Sequence, residues 1–332
     1  MDELAAAVDE LIANLMKDRQ APDPDRLPEV WAAMGELGLT TVGVPEAAGG
    51  SGGALSDLVS LAVSLGRYAV SSPLLEHATA SWAIAEVGPL PGGVCTIARG
   101  PELVDENMAV NEVPWGRHAD TMVLLPAESG IYLVDLHHES VMVTPDVNEA
   151  GEPRDAVVFA RSAVRPLLGA PTAEMISNRL ALLWSATLAG AVEGTYRLTR
   201  EYVNTRHQFG APLVKIPAVA ALLATVKADL VQAEAALSRA RQRTATDLEG
   251  DAATAAVAAA RVISARASTT AARLSHQLHG AMGITAEYPL YLHTTRLWAW
   301  RDEAGTEVWW ARLLGERAQR LGETDLWTVL TS

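Results

Sequence analysis

From Pro171 onward the apolar residues of this 332-residue chain recur with a helical period and scarcely break it, over about 173–207, 216–247, 251–279 and 303–320. Four long amphipathic stretches with short connections bury their apolar faces against one another, which predicts an antiparallel four-helix bundle. Composition agrees. The chain is 49% hydrophobic but only 5% aromatic, so Ala, Val and Leu do most of the packing, and alanine carries little entropic cost in a helix.

Upstream, Leu4, Val8, Leu11 and Leu15, then Val30, Met34 and Leu37, then Leu58, Leu61, Val63 and Leu65 also follow helical spacing. Between about Gly92 and Arg165 short β-branched segments take over, at 94–97, 121–125, 131–135, 141–144 and 156–159, separated by Gly, Pro and acidic turns. The expected fold class is mostly α with a small central β domain: an N-terminal helical domain at 1–91, a β domain at 92–166 and the C-terminal four-helix bundle at 167–332. The tract Ala48-Gly-Gly-Ser-Gly-Gly53 lacks the following Lys and the preceding strand of a phosphate cradle, and is expected to be a flexible loop.

A net charge of −14, from 40 acidic against 26 basic side chains, argues against nucleic acid as a partner. The single cysteine, Cys95, excludes an internal disulfide framework and a Cys-rich metal site. An acidic start, Met1-Asp2-Glu3, is unlike a targeting segment. The longest apolar run, Leu180 to Val192, is too short to span a bilayer, which takes roughly 20 residues. A cytoplasmic protein without a membrane segment is expected.

Two runs carry the chemistry. Tyr202-Val-Asn-Thr-Arg-His-Gln-Phe-Gly210 offers a guanidinium (Arg206), an amide (Gln208) and an aromatic face (Phe209) before a helix-stopping Gly-Ala-Pro. That trio suits a dinucleotide, Arg for a pyrophosphate and Phe for a flat ring. Gln277-Leu-His-Gly-Ala-Met-Gly283, followed by Glu287-Tyr-Pro289, leaves a helix through Gly280 and Gly283, where the backbone can approach a ligand and Gln277 can bond an amide or adenine edge. Each run also has a plain structural reading, as a helix C-terminus and a glycine C-cap.

In this order, with about 66 residues between them, the runs resemble the C-terminal domain of the acyl-CoA dehydrogenase family. The likeness extends from about Leu180 to about Arg317, and more weakly to Glu36-Leu-Gly-Leu-Thr40 and Val44-Pro-Glu-Ala-Ala-Gly-Gly50. It implies a flavoenzyme that uses FAD to desaturate acyl-CoA thioesters at Cα and Cβ, an oligomer, and electron-transfer flavoprotein as acceptor. It also implies that Arg206, Gln208, Phe209, Gln277, Gly280, Gly283 and Thr306 contact the cofactor. The family needs a carboxylate in a dry pocket to take the α-proton.

Its commoner location is directly before a Gly-Thr pair. In Trp300-Arg-Asp-Glu-Ala-Gly-Thr-Glu-Val308 that position is Ala304, which cannot accept a proton. Glu303 is one residue away, a rotation of about 100° if the segment is helical, and Asp302 and Glu303 also suit a helix N-terminus. Some members carry the base on the first bundle helix, but Ile176-Ser-Asn-Arg-Leu-Ala-Leu182 has no carboxylate. The family's Thr-Glu-Pro and Trp-Ile-Thr-like segments have no clear counterpart in the β domain; Asn111-Glu-Val-Pro114 and Trp115 come nearest.

Three readings follow. One is a subunit that lends cofactor contacts to a homologous acyl-CoA dehydrogenase partner and lacks the base. Another is a self-sufficient enzyme with Glu303 as a displaced base. The third is a helical scaffold without ligand.

Overall fold

In a computed structural model, residues 3–16, 23–103, 106–126, 130–285 and 288–331 are described. Glu287 lies outside them. The described helices are α1 (Glu3–Leu15), α2 (Glu29–Glu36), α3 (Leu55–Arg67), α4 (Leu74–Ala85), α5 (Ala173–Thr205), α6 (Pro217–Thr244), α7 (Asp251–His279), α8 (Leu290–Trp300) and α9 (Glu307–Thr331, broken at Gly322). The strands are β1 (Cys95–Gly100), β2 (Asn107–Pro114), β3 (Thr121–Pro126), β4 (Tyr132–Asp135), β5 (Met142–Thr144), β6 (Arg154–Ala160), β7 (Val164–Pro166) and a hairpin, β8 (His207–Gln208) with β9 (Ala211–Pro212). This is the mostly helical architecture with a small β domain that the pattern predicts. Among the described residues no helix is long and apolar enough to cross a membrane.

The chain divides into two compact units. One holds Met1–Lys17, Val59–Val70 and Ala181–Ser332; the other holds Asp18–Leu58 and Ser71–Leu180.

Within the second unit two sheets form, β1-β3-β4-β7 and β2-β6-β5, with β1 parallel to β3 and every other pair antiparallel. Their shared core contains Met108, Val110, Met122, Leu124, Val157 and Phe159. Buried Asp155 accepts hydrogen bonds from Arg117 N–H (2.6 Å), Nε (3.0 Å) and Nη2 (2.6 Å), so that carboxylate is fully paired. Strand β2 was not expected from its sequence, because a register shift between Val110 and Val113 breaks the period of two. The Gly-rich tract is a loop, as expected, but a tightly bonded one. Gly43 N–H donates to Gly52 O (2.7 Å), Gly52 N–H donates to Val44 O (2.9 Å), and the Thr41 and Ser51 hydroxyls meet at 2.8 Å.

In the first unit, α3 and α5 cross without side chains between them. A Cβ at Gly66 would overlap the carbonyl of Thr187, one at Gly190 that of Val63, and one at Gly194 that of Arg67. Beside this crossing Arg67 pairs with Asp9 and with Glu193, which also meets Arg197 at 2.6 Å. Helix α7 packs against α6, α8 and α9, and most of its buried positions are Ala, Ser or Thr. The fourth predicted segment is corrected at its start. A separate helix, α8, precedes a turn, and α9 begins at Glu307.

Gly190→Ala is expected to destabilise the chain by about 1–3 kcal/mol through overpacking. Gly315→Ala, at a helical position with open space around it, should stabilise by roughly 0.5–1 kcal/mol; urea unfolding of both variants reads the opposite signs.

In the second unit, His77 Nδ1 accepts the Cys95 N–H (3.0 Å). Burial lowers its pKa from 6.5 to about 4. The unfolded chain therefore binds a proton that the folded chain refuses, and stability falls as pH drops from about 6.5 towards 4, by on the order of 3 kcal/mol. His77→Gln keeps an acceptor for Cys95 and should flatten that part of a stability-versus-pH curve.

Candidate functional site

Helix α5 ends at Thr205, and the chain then doubles back in a two-residue hairpin. Gln208 pairs with Ala211, and the turn residues Phe209 (φ 52°) and Gly210 (φ 80°) are both left-handed. This is a type I′ turn, which ordinarily takes Asn-Gly or Asp-Gly. A non-glycine residue there costs about 1–2 kcal/mol, and Phe209 gains nothing within its own chain to offset it, being 93% exposed. Arg206, His207 and Gln208 are exposed as well. The hairpin presents a cation, an amide and a ring outward.

The second run meets the first. Helix α7 closes at His279, whose ring stacks on Tyr202 at 4.3 Å, and the Tyr202 hydroxyl donates to His279 O (3.3 Å). Val203, Leu213, Leu223 and Leu278 form one apolar cluster beneath them. Burial lowers the pKa of His276 and of His279, so both imidazoles are neutral at pH 7. Gln277 and Gly280 lie exposed beside this junction. Gly283 is buried, where a Cβ would press on His279 Cβ (3.0 Å), His276 Nδ1 (3.2 Å) and Leu290 (3.2 Å), so its small size serves packing.

Thr306 is not brought to this group. It follows a turn held beneath by Arg261, 16 residues before Gln277 on α7, or about 24 Å along the helix axis. Its hydroxyl accepts the Trp309 N–H (3.2 Å) and caps α9. Asp302 and Glu303, expected at that cap, lie in the turn ahead of the helix. Trp300 and Trp310 are buried, with Trp300 against Trp184 at 5.8 Å, whereas Trp298 and Trp309 are partly exposed. Trp115 is also buried, directly after β2.

Ala304 has φ 53° and is followed by Gly305 at 103°. Arg261, 1% exposed, donates through Nη2 to the carbonyls of Arg301 (2.8 Å), Glu303 (2.5 Å) and Gly305 (3.2 Å). Burial pushes its pKa down to about 10, with Glu303 and then Asp302 opposing the shift, so it stays charged at pH 7. A second buried guanidinium, Arg179, lies within 176–182. It is 3% exposed, sits 4.7 Å over Trp82, bonds Gly43 O (3.3 Å), and is pushed down to about 10 by burial, with Glu86 opposing. Neither arginine figured in the sequence expectations. A signal existed for Arg261: it shares a helical face with Val257, Ala258, Ser264, Ala265 and Ser268, all buried.

Residues 169–318 match the acyl-CoA dehydrogenase C-terminal domain, and residues 1–89 the acyl-CoA dehydrogenase N-terminal domain. Over 274 residues the chain is 30% identical to the acyl-CoA dehydrogenase IpdE2 of Mycobacterium tuberculosis, covering 80% of this chain and 79% of that one. The chain belongs to the acyl-CoA dehydrogenase family. It is also 28% identical over 279 residues to the acyl-CoA dehydrogenase FadE34 of the same organism, a match covering 80% of this chain but spanning only 39% of FadE34's length. Among solved structures, a chain of the ChsE4-ChsE5 complex from Mycobacterium tuberculosis shares the fold with a TM-score of 0.82 at 22% identity, over 97% of both chains.

For an acyl-CoA dehydrogenase, the donor set at the hairpin and the α7 terminus fits the ADP half of a flavin. Arg206 suits the pyrophosphate, Gln208 and Gln277 suit polar edges, and Phe209 suits a ring face. Both places where the resemblance locates a base lack a carboxylate and lie beside a buried cation.

The hairpin's own energetics are directly testable. Phe209→Asn relieves the left-handed strain and should stabilise the isolated chain by about 0.5–1 kcal/mol in chemical denaturation.

Proposed function

We propose that this chain is a non-catalytic subunit of a flavin-dependent acyl-CoA dehydrogenase, contributing Arg206, Gln208, Phe209, Gln277 and Gly280 to an FAD site completed by a homologous partner. The observation that carries this reading is the outward presentation of Phe209 in a strained turn beside exposed Arg206 and Gln208. A ring held at that cost and left in water is suited to a surface outside the chain. The likeness to a chain of a two-protein complex supports the same reading.

Bound flavin would supply the hydride acceptor for the substrate β-carbon. The residues of this chain would hold its ADP half, and the partner would supply the carboxylate that takes the α-proton. Glu303 is a poor replacement for that carboxylate. Its backbone is tied to Arg261, and its side chain lies in the field of the same buried cation. Reducing equivalents would leave to electron-transfer flavoprotein, and the substrate class is an acyl-CoA thioester.

Purified alone, the chain is expected to be colourless and inactive. Co-expressed with a homologue that carries an intact base, it should give a yellow complex that reduces an artificial acceptor when supplied with an acyl-CoA. Arg206→Ala together with Phe209→Ala should weaken flavin retention by about tenfold or more, while Glu303→Gln leaves the rate within about twofold. A yellow, active chain on its own would overturn the subunit assignment; a lost rate in Glu303→Gln would restore Glu303 as the base.

A further inference from the structure

We propose that Arg261 is a positioning residue: a buried cation that gathers the carbonyls of the α8–α9 turn and thereby sets the direction of Thr306 and of the turn's N–H groups. The inference rests on the flavin reading only for the ligand those groups would meet.

The geometry begins with one atom. Nη2 takes the carbonyls of Arg301, Glu303 and Gly305, three alternate residues, onto a single point. In a trans peptide the C=O and the following N–H point in opposite directions. Turning those three carbonyls onto Arg261 therefore turns the N–H groups of Asp302, Ala304 and Thr306 away from it. The row continues into the first turn of α9, where Glu307 and Val308 have no intrahelical acceptor and the Thr306 hydroxyl takes the next N–H, that of Trp309. Such a row, at the positive end of a helix dipole, favours a phosphate group.

Arg261 serves this turn and little else. Its Nε and Nη1 meet no hydrogen-bond partner among the described residues, so its bonding is directed to the loop. Two consecutive left-handed residues, Ala304 and Gly305, need such a clamp to persist, and Trp310 Nε1 adds one bond by donating to Ala304 O (3.0 Å). A neutral side chain of similar volume would fill the space but leave three carbonyls without their donor. An ammonium on a flexible stem could reach some of them.

The test uses the full chain, alone and in its co-purified complex, with Arg261→Met and Arg261→Lys. In the chain alone, Arg261→Met should raise amide hydrogen exchange at Glu303, Trp309 and Trp310, whose N–H groups bond to Trp300 O, the Thr306 hydroxyl and Thr306 O, by about tenfold or more while leaving the rest of α7 nearly unchanged, and Arg261→Lys should recover part of the protection. In the complex, Arg261→Met should weaken FAD binding, read by flavin fluorescence titration, by about tenfold, with the Lys variant intermediate. Unchanged exchange at Glu303, Trp309 and Trp310, a uniform rise over the whole of α7, or a Lys variant no better than Met would each overturn the positioning role. Faster exchange with unaltered FAD affinity would overturn its link to the cofactor. Should the wild-type complex bind no flavin, the subunit reading fails, and the exchange experiment still decides whether Arg261 holds the turn.

Discussion

Small side chains along α7 are the constraint on which the first unit depends. A buried helix rich in Ala, Ser and Thr lets its neighbours approach closely, but it brings little apolar area per residue to the core. Close fit must then replace bulk, and the same solution recurs where α3 crosses α5 through Gly66, Gly190 and Gly194. Helix α7 also fixes distance. Its C-terminus carries Gln277 and Gly280 beside the Tyr202 junction, and Arg261, 16 residues earlier, carries the Thr306 turn. One straight element thus holds two groups of candidate cofactor contacts about 24 Å apart, too far to act on the same few atoms.

Charge placement bears on catalysis more strongly than the lack of any one residue. A carboxylate that is to take a proton from carbon needs surroundings that disfavour its charge. Here Arg261 underlies the turn at Ala304, and Arg179 occupies the 176–182 stretch. Both guanidiniums are held at about 10 by burial and remain charged at pH 7. A carboxylate installed beside either would be stabilised as an anion, contrary to what a base requires. Both positions where the resemblance locates a base are thus organised around a buried cation.

Much of this fold was legible in the sequence because its signals are local. Helical periodicity after Pro171 located α5, α6 and α7 to within a few residues, and alternation located β1, β3, β4, β5 and β6. Strand β2 escaped because a bulge and the left-handed Glu112 break its alternation. Helix α8 was missed because Asp302 and Glu303 imitate a helix start whose actual cap is Thr306. The candidate site was legible only as two runs. Their meeting through Tyr202 and His279, the packing duty of Gly283 and the separation of Thr306 depend on long-range contacts that spacing does not encode.

Phe209 joins the local and the long-range arguments. Within its own chain, nothing explains an exposed phenylalanine in a left-handed turn position, since Asn or Asp would be less strained and more soluble there. Its neighbours Arg206 and Gln208 are equally directed outward. The rest of the hairpin is well made: α5 stops cleanly, Leu213 N–H returns to Arg206 O at 2.8 Å, and Tyr202 is anchored on His279. The strain is therefore confined to the residue that faces away from the fold, on a support that holds it rigid. A rigid support lowers the entropy lost when that ring and its polar neighbours meet another surface, so the local cost of Phe209 is better understood as preorganisation for binding than as imperfect folding.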